Sequence, residues 1–145
     1  MLNTVSEVSP LATWEALETD PRAILVDVRT MAEWSYIGIA DLTSLGKAPL
    51  LLEWMRLPGM VVNDGFTVEL SEQLAGAVPS SIYFLCRSGV RSLSAAQATA
   101  EAFTAKGQSV ACVNILGGFE GDLDSAGHRG NRNGWKVSGL PWRQT

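Results

Sequence analysis

The sequence is poor in the residues that build disulfide frameworks and metal sites. Its 145 residues include two cysteines, Cys86 and Cys112, and one histidine, His128. A disulfide-stapled domain needs a denser and more regular set of cysteines, and a structural zinc site needs closely paired Cys or His ligands. We therefore expect two free thiols, no bound metal and no other cofactor.

Long apolar runs are also missing, although the mean hydropathy is positive at +0.11. The apolar stretches are short and interrupted, well below the roughly 18 residues that a membrane-spanning helix needs. Residues 1–7 lack the basic and apolar regions of a secretory signal. These features predict a cytoplasmic protein with no membrane partner.

Positive charge is scarce as well, since 11 Lys and Arg stand against 15 Asp and Glu for a net charge of −4. This balance gives no overall attraction for nucleic acid, so we expect no nucleic-acid partner. Any anionic ligand must be held by a local site. The chain is instead rich in residues that can form a hydrophobic core, since 46% of them are hydrophobic and five are Trp. Its length suits one domain.

The apolar pattern predicts an α/β fold. Four short segments, 24–28, 50–52, 82–85 and 110–113, are apolar on both faces, as in parallel strands covered by helices on each side. Three helices are predicted between them, the first capped by Ser9, the second after residues 63–64 and the third over 92–106. Their apolar stripes are Leu11, Trp14 and Leu17; Phe66, Leu70 and Leu74; and Leu93, Ala96, Ala100 and Phe103.

Strands alternating with helices imply a single, doubly wound domain over residues 1–145, with a mostly parallel sheet of four or five strands. The Gly/Asn-rich segment 122–134 predicts a long loop. Segment 135–145 contains apolar residues and is predicted to dock back onto the domain. Ligands of such sheets bind beyond the carboxyl ends of the strands.

The segment between the third strand and the third helix carries the chemistry, and it reads Cys86-Arg87-Ser88-Gly89-Val90-Arg91. A thiol at this point faces backbone N–H groups and the positive end of a helix dipole, and the two arginines add charge. These effects favour a reactive thiolate and suit an anionic substrate. Cys112 lies inside an apolar run without basic neighbours, so we interpret it as a core residue.

This loop resembles the six-residue active-site loop of rhodanese-type sulfurtransferases, and the likeness to single-domain bacterial members covers the whole chain. Other similar segments follow in the family's order: Asp27-Val28-Arg29, Glu33-Trp34, Ile39-Ala40, Leu116-Gly117-Gly118-Phe119, Gly134-Trp135-Lys136 and Gly139-Leu140-Pro141-Trp142. Residues 36–40 depart from the family, which often has Gly-His-Ile there. That histidine is not the nucleophile, so the departure puts nothing catalytic in doubt.

The resemblance implies a thiosulfate sulfurtransferase. The Cys86 thiolate attacks the outer sulfur of an anionic donor such as thiosulfate, releases sulfite and holds a persulfide, which cyanide or a thiol then accepts. A protein is an alternative acceptor. The residues predicted to bind the donor are Arg87, Ser88, Gly89, Val90 and Arg91. For Arg91 the alternative is a role in pinning the loop, and for Arg87 it is a solvated side chain.

Smaller predictions concern the neighbouring motifs. Asp27 is interpreted as a structural acceptor that ties loops together, with general base as the alternative, and Arg29 is expected to pair with an acid such as Glu33. Gly117 and Gly118 predict a tight backbone turn near the loop. The charged residues of the long loop are read as solvated, with a flap over the site as the alternative; they are His128, Arg129 and Arg132.

Competing functions stay open. Cys-dependent phosphatases and arsenate reductases also place a Cys before a helix, but five residues separate their Cys and Arg, whereas four separate Cys86 and Arg91. The residue before the cysteine is Leu85 and not the His of such phosphatases. A catalytically silent binding or regulatory domain usually lacks the cysteine. A persulfide carrier shares the chemistry and differs only in its acceptor.

Overall fold

The fold is built on short strands and four main helices in a computed structural model that describes residues 4–144. The strands are β1 (Val5–Val8), β2 (Ala23–Asp27), β3 (Ile39–Ala40), β4 (Leu50–Leu51), β5 (Met55–Arg56), β6 (Val61–Val62), β7 (Ser81–Leu85), β8 (Ala111–Ile115) and β9 (Trp142–Arg143). The helices are α1 (Pro10–Thr19), α2 (Met31–Tyr36), α3 (Phe66–Leu74) and α4 (Val90–Ala105), with a 3-10 helix at Thr43–Leu45.

Five strands form a parallel central sheet in the order β1-β8-β7-β2-β4. The predicted α/β class with a parallel sheet of four or five strands is therefore confirmed. β7 lies in the middle, between β8 and β2, with Leu85 beside Asp27 in the register. Two small antiparallel pairs, β3 with β9 and β5 with β6, complete the sheets of the described residues. This topology puts the residue after β7 at the centre of the sheet's carboxyl edge.

Apolar layers cover both faces of the sheet because alternate strand residues point to opposite sides. One layer packs under α3 and α4, with side chains such as Phe84, Phe66 and Phe103. The other packs under α1 and the C-terminal segment, with Leu25, Leu17 and Trp135. This is the two-sided covering that the apolar strands predict.

The secondary-structure predictions differ from the structure in one helix face, in the start of one helix and in several short elements. Leu11 is exposed, because α1 buries Thr13 and Leu17. Helix α4 begins at Val90, two residues before its predicted start. Helix α2 and the strands β1, β3, β5, β6 and β9 were not predicted. Helix α2 nevertheless has a sequence signal, because Thr30 and Glu33 form a reciprocal capping box.

The segment 122–134 contains neither helix nor strand. It forms hydrogen bonds with Glu120 and Gly121, the two residues that precede it. Arg129 donates to the carbonyl of Gly121, and Asp124 accepts the backbone N–H of His128. After it, Trp135 is buried and its indole N–H donates to the Pro141 carbonyl. Residues 1–3 and 145 of the predicted domain lie outside the described residues. Over residues 4–144, every helix is too short or too polar to cross a bilayer.

Candidate active site

Cys86 follows directly on the central strand β7 and begins the short loop that leads into α4. It lies at the carboxyl edge of the sheet, where ligands of parallel α/β domains bind. The residue is 1% exposed. Its side chain lies on the sheet face that α4 covers, since Phe84 and Cys86 belong to the same apolar layer.

The Cys86 sulfur is held by the turn that starts α4. The backbone N–H of Gly89 donates to Sγ at 3.1 Å, and Ser92 Oγ lies 3.1 Å from the same atom. Gly89 has φ +107°, a left-handed conformation that L side chains rarely adopt. A glycine at this position lets the chain turn its N–H back toward the sulfur, so the thiol sits against a backbone donor at a helix N-terminus.

The Gly-Gly turn after β8 supports the loop from behind. Phe119 N–H donates to the Cys86 carbonyl at 2.7 Å, and Glu120 N–H donates to the Arg87 carbonyl at 3.0 Å. The turn also approaches closely, because a Cβ on Gly118 would lie 2.5 Å from the Cys86 carbonyl oxygen. The structure therefore has the tight backbone turn that the sequence predicts, and this turn holds the carbonyls of Cys86 and Arg87 by hydrogen bonds.

The two loop arginines have different surroundings. The Arg91 guanidinium forms a two-pronged ion pair with Glu33, at 2.7 and 3.0 Å, and the side chains are 14% and 17% exposed. Arg87 is exposed, and its guanidinium forms no hydrogen bond or ion pair with residues 4–144. Val90 at the loop tip is 74% exposed. Arg91 thus clamps α4 to α2, while Arg87 is available to a ligand.

The ion pair between Glu33 and Arg91 changes the pKa of both partners. Burial raises the pKa of Glu33, but the hydrogen bond and charge of Arg91 outweigh it, and the pKa of Glu33 falls below its ordinary 4.5. Burial likewise opposes the charged form of Arg91, yet Glu33 outweighs it and the pKa of Arg91 rises. Each group therefore stabilises the charged form of the other.

The Glu33–Arg91 pair is expected to stabilise the fold at neutral pH and to lose that contribution in acid. A lowered carboxyl pKa adds stability that is complete above the unfolded pKa and fades as the pH falls through the folded one. Glu33→Gln, which keeps the helix cap, is expected to cost about 1 kcal/mol at pH 7 and progressively less as the pH falls through the lowered folded pKa of Glu33. Urea unfolding at a series of pH values from neutral to acid measures the difference in free energy of unfolding between the wild type and Glu33→Gln. Glu15→Gln, at an exposed position, is the control. A cost of Glu33→Gln that is independent of pH contradicts the assignment.

A second ion pair lies fully buried beside the site, and it corrects one expectation. Arg29 pairs with Asp27 at 2.7 Å and not with Glu33, which is occupied by Arg91. Asp27 also accepts the backbone N–H of Arg29, so the short spacing favours this partner. Arg29 donates to the Gly38 carbonyl and lies 4.2 Å from the Phe119 ring centre. Asp27 is therefore the structural acceptor that the sequence predicts.

Cys112 lies in the apolar layer under α4 and is fully buried. Burial raises the pKa of its thiol to about 12, so the group stays protonated at ordinary pH. Both cysteines are free thiols. The structure thus supports the interpretation of Cys112 as a core residue.

The sequence did not single out Ser92 or Asn114, although both lie close to the sulfur. Ser92 Oγ contacts Cys86 Sγ, and Asn114 accepts from Ser92. A signal was present for Asn114, because it is an amide within the otherwise apolar end of β8 and is buried there. Buried polar groups need hydrogen-bond partners, so such a residue points to a local network.

Comparison with known proteins identifies relatives over the whole length. No family model matches the chain. The chain is 32% identical over 140 residues to the RP600 homolog of Rickettsia rickettsii and 31% identical over 140 residues to RC0915 of Rickettsia conorii. Both relatives are uncharacterized proteins. Each alignment covers 97% of this chain and 98% of the relative. The crystal structure of Rv0390 from M. tuberculosis is similar, with 44% identity, a TM-score of 0.81 and 99% of both chains covered. A rhodanese-like domain protein from Staphylococcus aureus has 20% identity and a TM-score of 0.47, over 78% of this chain and 86% of that one.

Proposed function

We propose that this chain, which belongs to the same protein family as Rv0390 from M. tuberculosis and the rickettsial relatives, is a sulfurtransferase of the rhodanese type. One observation carries the proposal. The Cys86 sulfur follows the central strand and accepts a backbone N–H from the turn that begins α4. This arrangement stabilises negative charge on sulfur, which both a thiolate and a persulfide require.

The reaction transfers one sulfur atom in two displacements. The Cys86 thiolate attacks the outer sulfur of thiosulfate, a new S–S bond forms, and the old S–S bond breaks with its electron pair leaving on sulfite. Cys86 then carries a persulfide whose terminal sulfur bears the negative charge. Cyanide attacks that sulfur, takes it as thiocyanate and returns the thiolate. No net oxidation and no cofactor enters either step.

Donor binding follows from what the loop arginines contact. Arg87 is exposed and without an ion-pair partner in residues 4–144, so it can form charge-assisted hydrogen bonds with the sulfonate oxygens of thiosulfate. Arg91 is held by Glu33 and shapes the loop from α4. We therefore assign recognition of the donor to Arg87 and the geometry of the loop to Arg91. Ser88, Gly89 and Val90 complete the backbone that surrounds the donor.

Arg87→Ala is expected to raise the KM for thiosulfate about tenfold and to leave the free energy of unfolding within about 0.5 kcal/mol of wild type. Arg91→Ala leaves Glu33 unpaired, so it is expected to lower both stability and kcat. Steady-state assays and urea unfolding separate the two. Arg132→Ala, in the loop 122–134, is the control for loss of one positive charge. A KM that rises equally in Arg132→Ala removes Arg87 from donor recognition.

Activity with a set of donors tests the proposed function as a whole. Purified protein is incubated with thiosulfate, mercaptopyruvate or a low-molecular-weight persulfide, with cyanide or a thiol as acceptor, and para-nitrophenyl phosphate serves as the phosphatase control. We expect thiocyanate from thiosulfate and cyanide, and no release of nitrophenol. Phosphate-ester hydrolysis without sulfur transfer contradicts the proposal.

The compartment and acceptor are part of the same proposal. Both cysteines are free, which suits the reducing cytoplasm. There, a small thiol or a protein thiol takes the place of the cyanide used in the assay. A persulfide carrier that hands sulfur to a protein shares the Cys86 chemistry and is distinguished by its acceptor alone.

A further inference from the structure

A chain of polar side chains runs from the buried Cys86 to the exposed Glu7 on the edge strand β1. Ser92 Oγ lies 3.1 Å from Cys86 Sγ and 2.5 Å from Asn114 Oδ1. Asn114 Nδ2 donates to the Glu7 carboxylate at 2.9 Å and to the Gly89 carbonyl at 3.0 Å. Ser92 and Asn114 are 0% and 1% exposed. The proposed sulfur transfer assigns no role to Ser92, Asn114 or Glu7.

The register of the parallel sheet brings these groups together. Asn114 lies between Glu7 of β1 and Phe84 of β7. Cys86 is two residues beyond Phe84, so its side chain lies on the same face as Asn114. Ser92, in the first turn of α4, covers that face. The four side chains come from two strands, the loop after β7 and one helix, which meet only in the folded protein.

Asn114 has one amide orientation in this network. Its Nδ2 meets a carboxylate and a carbonyl, groups that only accept hydrogen bonds at neutral pH. A flipped amide would place Oδ1 against both acceptors. Oδ1 therefore faces Ser92, and the single hydroxyl proton of Ser92 is donated to it.

The direction of the Ser92 proton determines what Cys86 meets. With its proton on the Asn114 side, Ser92 Oγ presents lone pairs to the sulfur. Lone pairs accept the S–H of a thiol and repel a thiolate. In this orientation the Ser92 hydroxyl accepts a hydrogen bond from a thiol S–H, and it can donate to a charged sulfur only after it has turned.

We propose that Ser92 is a catalytic residue with two proton positions, and that Asn114 is the positioning residue that holds it in the resting one. When Cys86 ionises, its proton passes to solvent, and the Ser92 hydroxyl rotates about Cβ–Oγ to donate to Sγ beside the Gly89 N–H. Ser92 keeps its own proton throughout. The same donor stabilises the inner sulfur when the persulfide is formed. The catalytic part of this inference rests on the proposed sulfurtransferase function, whereas the proton positions do not.

The test is a pH titration of the thiolate ultraviolet absorbance of Cys86, in a Cys112→Ala background and against Cys86→Ser as the blank. Ser92→Ala removes a donor to the thiolate, so half-ionisation is expected about one pH unit higher than in the parent, which is about tenfold less thiolate at a pH well below half-ionisation. Asn114→Ala frees the Ser92 proton for the sulfur, so half-ionisation is expected at lower pH. The double variant should titrate like Ser92→Ala, because Asn114 acts through Ser92.

Other charges are common to all variants and cancel in the comparison. On the elements packed around Cys86 they are Glu7 of β1, Asp27 at the end of β2, Arg29 after β2, Glu33 of α2, Arg87 of the loop, Arg91 of α4 and Glu120 after the Gly-Gly turn. Circular dichroism and thermal melting check that each variant folds. Asn114→Val, which fills the strand position and also lacks an acceptor, is expected to shift the titration in the same direction as Asn114→Ala.

Opposite shifts of the Cys86 titration in Ser92→Ala and Asn114→Ala support the two proton positions of Ser92, which we call the proton switch. Shifts in the same direction, or unchanged titrations in both, overturn it, since a merely structural role has no reason to separate them. The titration needs no sulfur donor. Opposite shifts in a protein that transfers no sulfur would therefore refute the proposed function alone, and coincident shifts in an active sulfurtransferase would refute the switch alone.

Discussion

Cys86→Ser is expected to lower thiosulfate:cyanide transfer by about a thousandfold or more. A serine hydroxyl at the end of β7 is a poor nucleophile at neutral pH, and it cannot hold sulfur in an S–S bond. The rest of the loop stays in place, because the turn around this residue is fixed by the backbone of Gly89 and Phe119. Thiocyanate formation by the purified variant measures the loss, and near-ultraviolet circular dichroism checks the fold.

The second cysteine supplies the control. Cys112→Ala is expected to retain most of the activity, because its thiol is buried under α4 and stays protonated. Alanine is chosen because a serine here would bury an unpaired hydroxyl. If Cys112→Ala is the inactive variant and Cys86→Ser is active, the assignment of the nucleophile is wrong.

Asp27→Asn is expected to destabilise the fold by about 3–5 kcal/mol. Asp27 and Arg29 are both fully buried, so the substitution leaves a guanidinium in the core without a counter-charge. The same guanidinium donates to the Gly38 carbonyl, which ties the end of β2 to the segment before β3. Urea unfolding at neutral pH measures the loss.

Two further variants make this measurement specific. Asp64→Asn, at an exposed position, is expected to change the free energy of unfolding by less than about 0.5 kcal/mol. The double variant Asp27→Leu with Arg29→Met removes both charges and is expected to recover much of the stability, since apolar replacements of a buried pair are tolerated. A loss below about 1 kcal/mol in Asp27→Asn contradicts a structural role for the pair.

The central strands were predictable because of where they lie in the sheet. β2, β7 and β8 are buried on both faces, so their sequences are nearly continuous apolar runs. β1 lies at the edge, and its two valines are separated by the polar residues Ser6 and Glu7, so it has no such run. The structure shows that β1 is a strand, because it pairs in parallel with β8.

The loop that carries Cys86 was predictable from local sequence, but its supporting contacts were not. A thiol followed by a Gly-containing turn and a helix is a local signal, and the structure has Gly89 and helix α4 shortly after Cys86. In contrast, Arg91 meets Glu33 across 58 residues of sequence. Ser92 meets Asn114 only because α4 folds over β8. Such polar partners depend on strand order and register, which apolar periodicity does not specify.

Mass spectrometry of the Cys86 peptide after incubation with thiosulfate is the most direct test of sulfur transfer through this residue. The peptide is expected to gain one sulfur atom and to lose it on addition of cyanide, while the Cys112 peptide stays unmodified. An unmodified Cys86 peptide under saturating thiosulfate, or sulfur found on Cys112 instead, would contradict a Cys86 persulfide.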